Sequence, residues 1–571
     1  MLTYNNYHTA PPKRITDIRD LYRTSAEAFG DKIQYYYRED GQMHEFSYND
    51  FWEYMQNFAT YLMNSSLSGK RIAVIGDTHP LWVVTLASVI SSGGVIVPLD
   101  RELEMDQIID FMRIAKCSAV VYTECYNNKL TERAVDMPFI ESFIPIHADG
   151  ESCDLPFVKS YESCVLEGAR LREEGDTSFN DYEIRMDEMA AILFTSGTTG
   201  TSKGVMLSHR NLTATANAAS FHTKFDRRDT FVSVLPIHHT FELATSHLAS
   251  SNLGTTTYIN ESLRYATRNF KEFRPTSLIL VPLFLETIHK RIWETIRKKG
   301  IEKKVRTAMK ISDALLLTGV DMRKKFFSDI TDVFGGRLKT VIVGGAPIDP
   351  QIIRDFYSFG ISVFQGYGIT ECSPLISVNM PGHVKFDSVG QAVESCEVKI
   401  DQIAECDEGE GEILVRGDNV MLGYYENPEA TAEVFTEDGF FRTGDIGRID
   451  RRGYITITGR KKNVIIAANG KNVFPEELEE RLSKLPLIKE SVVIGRDDEV
   501  TGDVIITALI YPDPEMVEGH LTNDEVCSEL KDYITKINKS LPPYKHINKF
   551  ELRSEEFEKT PSKKIKRFLL K

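Results

Sequence analysis

The chain has 571 residues, which at about 150 residues per domain implies three or four domains and excludes a single small module. Hydrophobic residues make up 42% and charged residues 26%, the balance of a chain that buries a large core, so a disordered tail or a fibre is excluded. Sixty-eight Lys and Arg stand against 83 Asp and Glu, a net −15, so the surface as a whole is not built to neutralise nucleic-acid phosphates and any polyanion must be met locally.

The N-terminal stretch MLTYNNYHTAPPKRITD has no apolar run able to act as a signal peptide, and a cytoplasmic protein is expected. Helical patterns then alternate with short apolar strands: FWEYMQNFATYLMNSS precedes RIAVIG, and LWVVTLASVISS precedes VIVPLD. The uncharged stretch from Leu81 to Leu99 is about long enough to span a bilayer. Ser91-Ser92-Gly93-Gly94 interrupts it, so it reads as a buried helix, a glycine turn and a strand. AVVYT, TSLILVP and TVIVGG follow as further strands separated by amphipathic segments, a pattern that predicts parallel sheets covered by helices. Around 390–458 the texture shifts to EVKID, GEILVRG and GYITITG, short strands with turn residues that predict a small β-barrel or antiparallel subdomain. Beyond Arg460 the segments KNVIIAANGKNVFPEELEERLSKL, SVVIGRD and DVIITALIYP predict a compact α/β tail. The expected fold class is therefore α/β: a large N-terminal domain over 1–458, a hinge over 459–463 and a small mobile domain over 464–571. The eight cysteines, Cys117, Cys125, Cys153, Cys164, Cys372, Cys396, Cys406 and Cys527, show no CxxC spacing and read as reduced thiols.

The strand Ala191–Phe194 runs into Thr195-Ser196-Gly197-Thr198-Thr199-Gly200-Thr201-Ser202-Lys203-Gly204. Glycines let backbone N–H groups converge on phosphate oxygens, hydroxyls add donors, and Lys203 supplies charge in an acidic protein. Gly197 and Lys203 have the spacing of a Walker loop, but Ser202 replaces the glycine before the lysine and Gly204 replaces the hydroxyl residue that would hold magnesium, which disfavours a P-loop NTPase. The bland alternative is a flexible surface linker. Phe364-Gln365-Gly366-Tyr367-Gly368-Ile369-Thr370-Glu371 sets a ring for purine stacking, a hydroxyl for a phosphate and a carboxylate for Mg²⁺ at one strand end. Val341–Pro347 is a strand ending in Gly344-Gly345-Ala346, small residues against which a flat ring can lie. Asp445, in FRTGD, is a carboxylate suited to two ribose hydroxyls, with an ordinary Asx-turn as the competing reading. His238 and His239 are adjacent, and neighbouring side chains on a regular element diverge, so they do not chelate one metal.

With these motifs in this order, the chain resembles the adenylate-forming superfamily over roughly Phe46 to Arg567, and the trailing Phe241-Glu242 resembles long-chain fatty acyl-CoA synthetases. The resemblance implies that Thr195 to Gly200 and Lys203 hold the departing pyrophosphate, and that Gly344, Gly345 and Ala346 wall the adenine and acyl pockets. Gln365, Gly366, Tyr367 and Gly368 belong to the nucleotide motif in which Thr370 and Glu371 act on phosphate and Mg²⁺. It further implies that Asp445 and Arg460 bind the nucleoside, His239 gates the acyl pocket and Lys462 is the hinge. Lys564, in Ser562-Lys563-Lys564-Ile565, matches the catalytic lysine, although Lys563 stands where the superfamily has glycine. The implied activity is ATP-dependent conversion of a long- or medium-chain fatty acid to acyl-AMP and then, with coenzyme A, to acyl-CoA, AMP and pyrophosphate. The alternatives are a carrier-protein or aryl-acid ligase of the same superfamily, or a non-catalytic nucleotide-binding scaffold held peripherally on the inner face of a membrane by its basic tail and exposed apolar helices.

Overall fold

The short apolar runs become strands of two large sheets in the computed structural model, which describes residues 12–147, 155–195, 202–223, 225–403, 406, 408–466, 472–497, 504–517, 522–559 and 565–570. The chain forms two compact units. One draws its described residues from Met1–Thr195, Ser202–Glu397 and Arg416–Glu433, the other from Val398–Val415 and Val434–Lys571.

In the first unit a seven-stranded sheet runs in the order Gly423–Tyr424, Lys203–Ser208, Met189–Thr195, Val95–Pro98, Arg71–Ile75, Ala119–Tyr122, Ser142–Pro145. A nine-stranded sheet runs Gln391–Ala392, Leu375–Val378, Ser362–Gly368, Thr340–Val343, Ser277–Leu280, Thr230–Ser233, Thr256–Ile259, Ile33–Glu39, Gln42–Ser47. The expected parallel sheets are thus mixed: pairing is antiparallel at both edges of the nine-stranded sheet and at one edge of the seven-stranded sheet, and parallel elsewhere, including the other edge strand Ser142–Pro145. The apolar run that raised the question of a membrane span folds into the helix Pro80–Ser91, all of whose residues are buried, followed by the buried strand Val95–Pro98. His79 caps this helix, its Nδ1 accepting the Leu81 N–H at 3.1 Å. Among the described residues no helix is long and apolar enough to cross a membrane. Helices Tyr48–Met63 and Tyr161–Glu173 meet at Gly168, where a Cβ would stand 1.8 Å from the Asn57 carbonyl oxygen; only glycine permits that approach.

In the second unit four strands line up as Cys396–Gln402, Glu410–Gly417, Phe441–Ile449 and Ile455–Arg460, the last three antiparallel. The first and last are edges, so among the described residues this is an open sheet and not the expected barrel. Four strands are too few to close around packed side chains, which takes about eight. The tail domain is the expected α/β unit: Ile488–Asp497, Val504–Pro512 and Lys549–Leu552 form a sheet against helices Pro475–Leu482 and Asn523–Asn538. Leu478, Leu482, Ile506, Ile510, Leu530 and Ile534 share one core between them. All cysteines within the described residues are free thiols; Cys153 lies outside them.

Candidate nucleotide and acyl site

Strands Thr230–Ser233, Ser277–Leu280, Thr340–Val343 and Ser362–Gly368 run parallel, so their C-terminal ends lie along one edge of the nine-stranded sheet. In an open α/β sheet that edge is where ligands bind. Three of the sequence motifs follow those ends: His238–Glu242, Gly344–Ala346 and Tyr367–Glu371. They also touch: a Cβ on Gly344 would stand 3.3 Å from the Phe241 ring and 3.4 Å from the Gly366 carbonyl oxygen. Gly345 adopts φ +86°, and among the described residues nothing stands within 4 Å of where its Cβ would be, so the backbone here is bare, as a flat ring requires. Gly368 is fixed by sterics, because a Cβ would lie 1.9 Å from the Pro374 carbonyl oxygen of the antiparallel neighbour. Gln365 and Tyr367 are buried, while Thr370 and Glu371 are half-buried in the turn that follows.

The hairpin of the other sheet brings Thr195 into register with Lys203. Ser196, Gly197, Thr198, Thr199 and Gly200, between them, lie outside the described residues. Lys203 Nζ sits 4.6 Å from the centroid of the Tyr424 ring, and the Tyr424 hydroxyl donates to Glu371 Oε1 at 3.0 Å. Burial and then the Glu371 carboxylate push the Tyr424 hydroxyl pKa up, so it stays a donor. Met421 N–H donates to the Glu371 carbonyl at 2.8 Å, and Asn211 Nδ2 donates to the Asp418 and Val420 carbonyls, each at 2.8 Å. These bonds fix the segment carrying Tyr424, which sequence reasoning missed. Glu371 makes no ion pair among the described residues, so a half-buried carboxylate is available for a divalent cation shared with phosphate oxygens.

His238 and His239 do not diverge as expected: their ring centroids lie 4.2 Å apart. His238 Nε2 lies 3.5 Å from Asp100 Oδ2, at the end of strand Val95–Pro98, while His239 is exposed at the start of the short helix Thr240–Glu242. Burial pushes the Asp100 carboxyl upward, but His238, the Glu102 N–H and His239 outweigh it and hold the carboxyl below its usual range. Glu242 is fully buried, accepts from the Ser233 hydroxyl at 2.5 Å, and is pushed up to about 8 by burial against the opposing pull of Ser233, Ser246 and the Leu235 N–H. The helix continues as a π-helix over Leu243–Ala249, the kind of irregularity that clusters at functional sites.

In the second unit Asp445 and Arg460 are register partners on adjacent strands, with Arg460 Nε 2.6 Å from the buried Asp445 Oδ1. The structure therefore joins the two residues that the resemblance assigns to the nucleoside. Glu412 supports them and was also missed: it is buried, its Oε1 accepts the Gly444 N–H at 3.2 Å, and its Oε2 lies 2.8 Å from Lys461 Nζ and 3.2 Å from Arg442 Nη1. Lys462 is exposed in the turn Lys461–Asn463. Lys564 lies outside the described residues.

A mixed α/β fold with Gly-rich loops and a carboxylate-bearing turn at the ends of parallel strands defines a nucleotide-handling enzyme. The family model for AMP-binding enzymes matches residues 22–425, and that for the AMP-binding enzyme C-terminal domain matches residues 462–569, so the chain belongs to the AMP-binding enzyme family. It is 26% identical over 536 residues to the long-chain-fatty-acid–CoA ligase FadD15 of Mycobacterium bovis, covering 88% of this chain and 86% of that protein. It is 27% identical to the chloroplastic long-chain-fatty-acid–[acyl-carrier-protein] ligase AEE15 of Arabidopsis thaliana, covering 86% and 76%. In fold it is similar to ATP-bound MatB from Rhodopseudomonas palustris, with a TM-score of 0.73 at 22% identity over 97% of this chain and 98% of that one. It is likewise similar to the adenylation domain of a Mycobacterium chelonae carboxylate reductase, with a TM-score of 0.75 at 20% identity over 97% and 89%.

Proposed function

We propose that the protein is an AMP-forming acid–thiol ligase that activates a long- or medium-chain fatty acid with ATP and passes the acyl group to coenzyme A. The observation that supports the reading best is the approach of Phe241, two residues after the proposed acyl gate His239, to Gly344 and Gly366 of the proposed nucleotide motifs at one sheet edge. Family membership and relatives named as long-chain-fatty-acid–CoA ligases support it.

A carboxylate is a poor electrophile because its charge repels nucleophiles and an oxide would have to leave. In the first step a carboxylate oxygen attacks the α-phosphorus of ATP and pyrophosphate leaves, giving an acyl-AMP anhydride. In the second a thiolate attacks the acyl carbon and AMP leaves, giving the thioester. Catalysis of the first step is chiefly positioning and charge stabilisation. Tyr367 stacks on adenine, Asp445 and Arg460 hold the ribose, Thr370 bonds a phosphate, and Lys203 with the Thr195–Gly200 loop retains pyrophosphate. Lys564 bridges the incoming carboxylate and the α-phosphate. A magnesium ion bound with ATP would neutralise phosphate charge, and Glu371, oriented by Tyr424, is the residue that would hold it. Rotation about Lys462 then withdraws Lys564 and admits the thiol.

The test is carboxylate-dependent exchange of labelled pyrophosphate into ATP, followed by AMP release with coenzyme A across a series of fatty and aromatic acids. Exchange with fatty acids and thioester formation with coenzyme A are expected; no exchange with any acid overturns the reading. A carrier-protein acceptor is the second reading, favoured by the similarity to AEE15, and competition between coenzyme A and holo carrier protein separates the two.

A further inference from the structure

The helix Glu302–Leu317 is sixteen residues long, yet Ser312 is its one buried residue. It follows the helix Pro282–Lys298 and leads into the short helix Arg323–Phe326, with Val305, Ala308 and Met309 packed against the core on one side. Residues 290–325 hold twelve Lys and Arg against four Asp and Glu, a balance of +8, in a chain whose net charge is −15. The remainder of the protein therefore carries −23. Some of the cations are already engaged: Arg306 lies 2.9 Å from Glu302, and Arg323 lies 2.7 Å from Asp321. Lys303, Lys304, Lys310, Lys324 and Lys325 are exposed and make no ion pair among the described residues. Between them stand exposed apolar side chains: Leu317 is 81% exposed and Ile311 50%, with Val320 and Phe326 also open. A cleft of about 480 Å³ runs between Lys303, Lys304, Thr307, Ala308, Ile311 and Phe326.

We propose that this helical segment is a docking surface for an anionic phospholipid membrane. Lys303, Thr307, Lys310, Ala314 and Leu317 follow one another at three- and four-residue steps and share a helix face, so two cations and two apolar side chains point the same way. A bilayer surface accepts both at once, anionic headgroups taking the ammonium groups and the headgroup–acyl boundary taking Ile311, Leu317 and Phe326. A second copy of the chain fits poorly, because a symmetric contact would set lysines against lysines. The strongly acidic remainder is repelled by the same headgroups, so the patch fixes which side of the molecule faces the membrane. This contact is distinct from the basic C-terminal tail and is independent of the ligase reading.

The test is cosedimentation of the full chain with vesicles of phosphatidylcholine alone, or of three parts phosphatidylcholine to one part phosphatidylglycerol. Wild type is expected to bind the mixed vesicles, to bind the neutral ones far less, and to be released as salt rises. Lys303→Glu/Lys304→Glu/Lys310→Glu should cut the partition coefficient at least about tenfold. Leu317→Ser/Val320→Ser should lower it without changing its salt dependence. All five positions are exposed, and an unchanged thermal midpoint checks that the variants fold. Lys531→Glu/Lys536→Glu/Lys539→Glu, on exposed positions of the second unit, should leave binding within twofold of wild type. Equal binding to both vesicles overturns the proposal. So does an equal loss in the two charge-reversed variants, or retention of binding by the Lys303/Lys304/Lys310 variant.

Discussion

Tyr424 shows how one side chain can tie Lys203, a lysine proposed to hold phosphate, to a carboxylate proposed to hold a metal. Its ring lies under Lys203 and its hydroxyl donates to Glu371, so Tyr424→Phe removes the second link and leaves the first. A hydrogen bond to a charged group is worth about 1.5–3 kcal/mol, equivalent to roughly 10–100-fold. We expect Tyr424→Phe to slow pyrophosphate exchange by about tenfold or more and to raise the magnesium concentration needed for half-maximal rate. An unchanged magnesium requirement would assign Tyr424 to packing. Glu371→Gln removes the charge itself and should raise that requirement further, measured in the same titration.

At the scale of elements, the turn from strand Thr230–Ser233 into the π-helix Leu243–Ala249 is held by a buried carboxyl. Glu242 is pushed up to about 8, so in the folded protein it keeps a proton that the unfolded chain releases near 4.3. Its contribution is complete below about 4.3 and is lost as pH rises through 8, because between those values the folded state binds more protons. Glu242→Gln keeps the shape and removes the ionisation. Its thermal midpoint should therefore fall less than that of wild type between pH 6 and 9, and parallel curves would show that Glu242 does not titrate in the fold. His79 acts in the opposite direction. Burial, His147 and His44 lower it to about 3, so stability should fall as pH drops from 6.5 toward 3, where the unfolded chain takes the proton. The strands and glycine-rich turns were legible because their cues are local: apolar runs of four to seven residues end in small residues at Thr340–Val343 and Ser362–Gly368. Tyr424 and Glu412 were not, because their partners are remote: Glu371 is 53 residues from Tyr424 and Lys461 is 49 residues from Glu412. The open four-stranded sheet was misread for the same reason, since strand length and turn residues do not reveal which edges pair.

For the whole molecule, the proposed reaction assigns its two halves unequal demands on the two units, and this can be separated by supplying the intermediate. In the proposed reaction, formation of acyl-AMP would need Lys564 at the α-phosphate, whereas attack of a thiol on preformed acyl-AMP would need Lys564 withdrawn. Lys564→Ala should therefore slow carboxylate-dependent pyrophosphate exchange by about 10²–10³-fold, the cost of losing one group aimed at developing charge. The same variant should convert supplied acyl-AMP and coenzyme A to thioester at near the wild-type rate. A substitution that stiffens the turn Lys461–Asn463, Lys462→Pro, should give the opposite pair of results, because exchange needs one arrangement of the chain and thioester formation requires a change from it. If Lys564→Ala impairs both half-reactions equally, the lysine supports the fold or binds nucleotide throughout. If Lys462→Pro leaves both intact, the chain does not pivot there. Measured together on the 571-residue chain, the two variants separate a lysine used in one step from a turn used between steps.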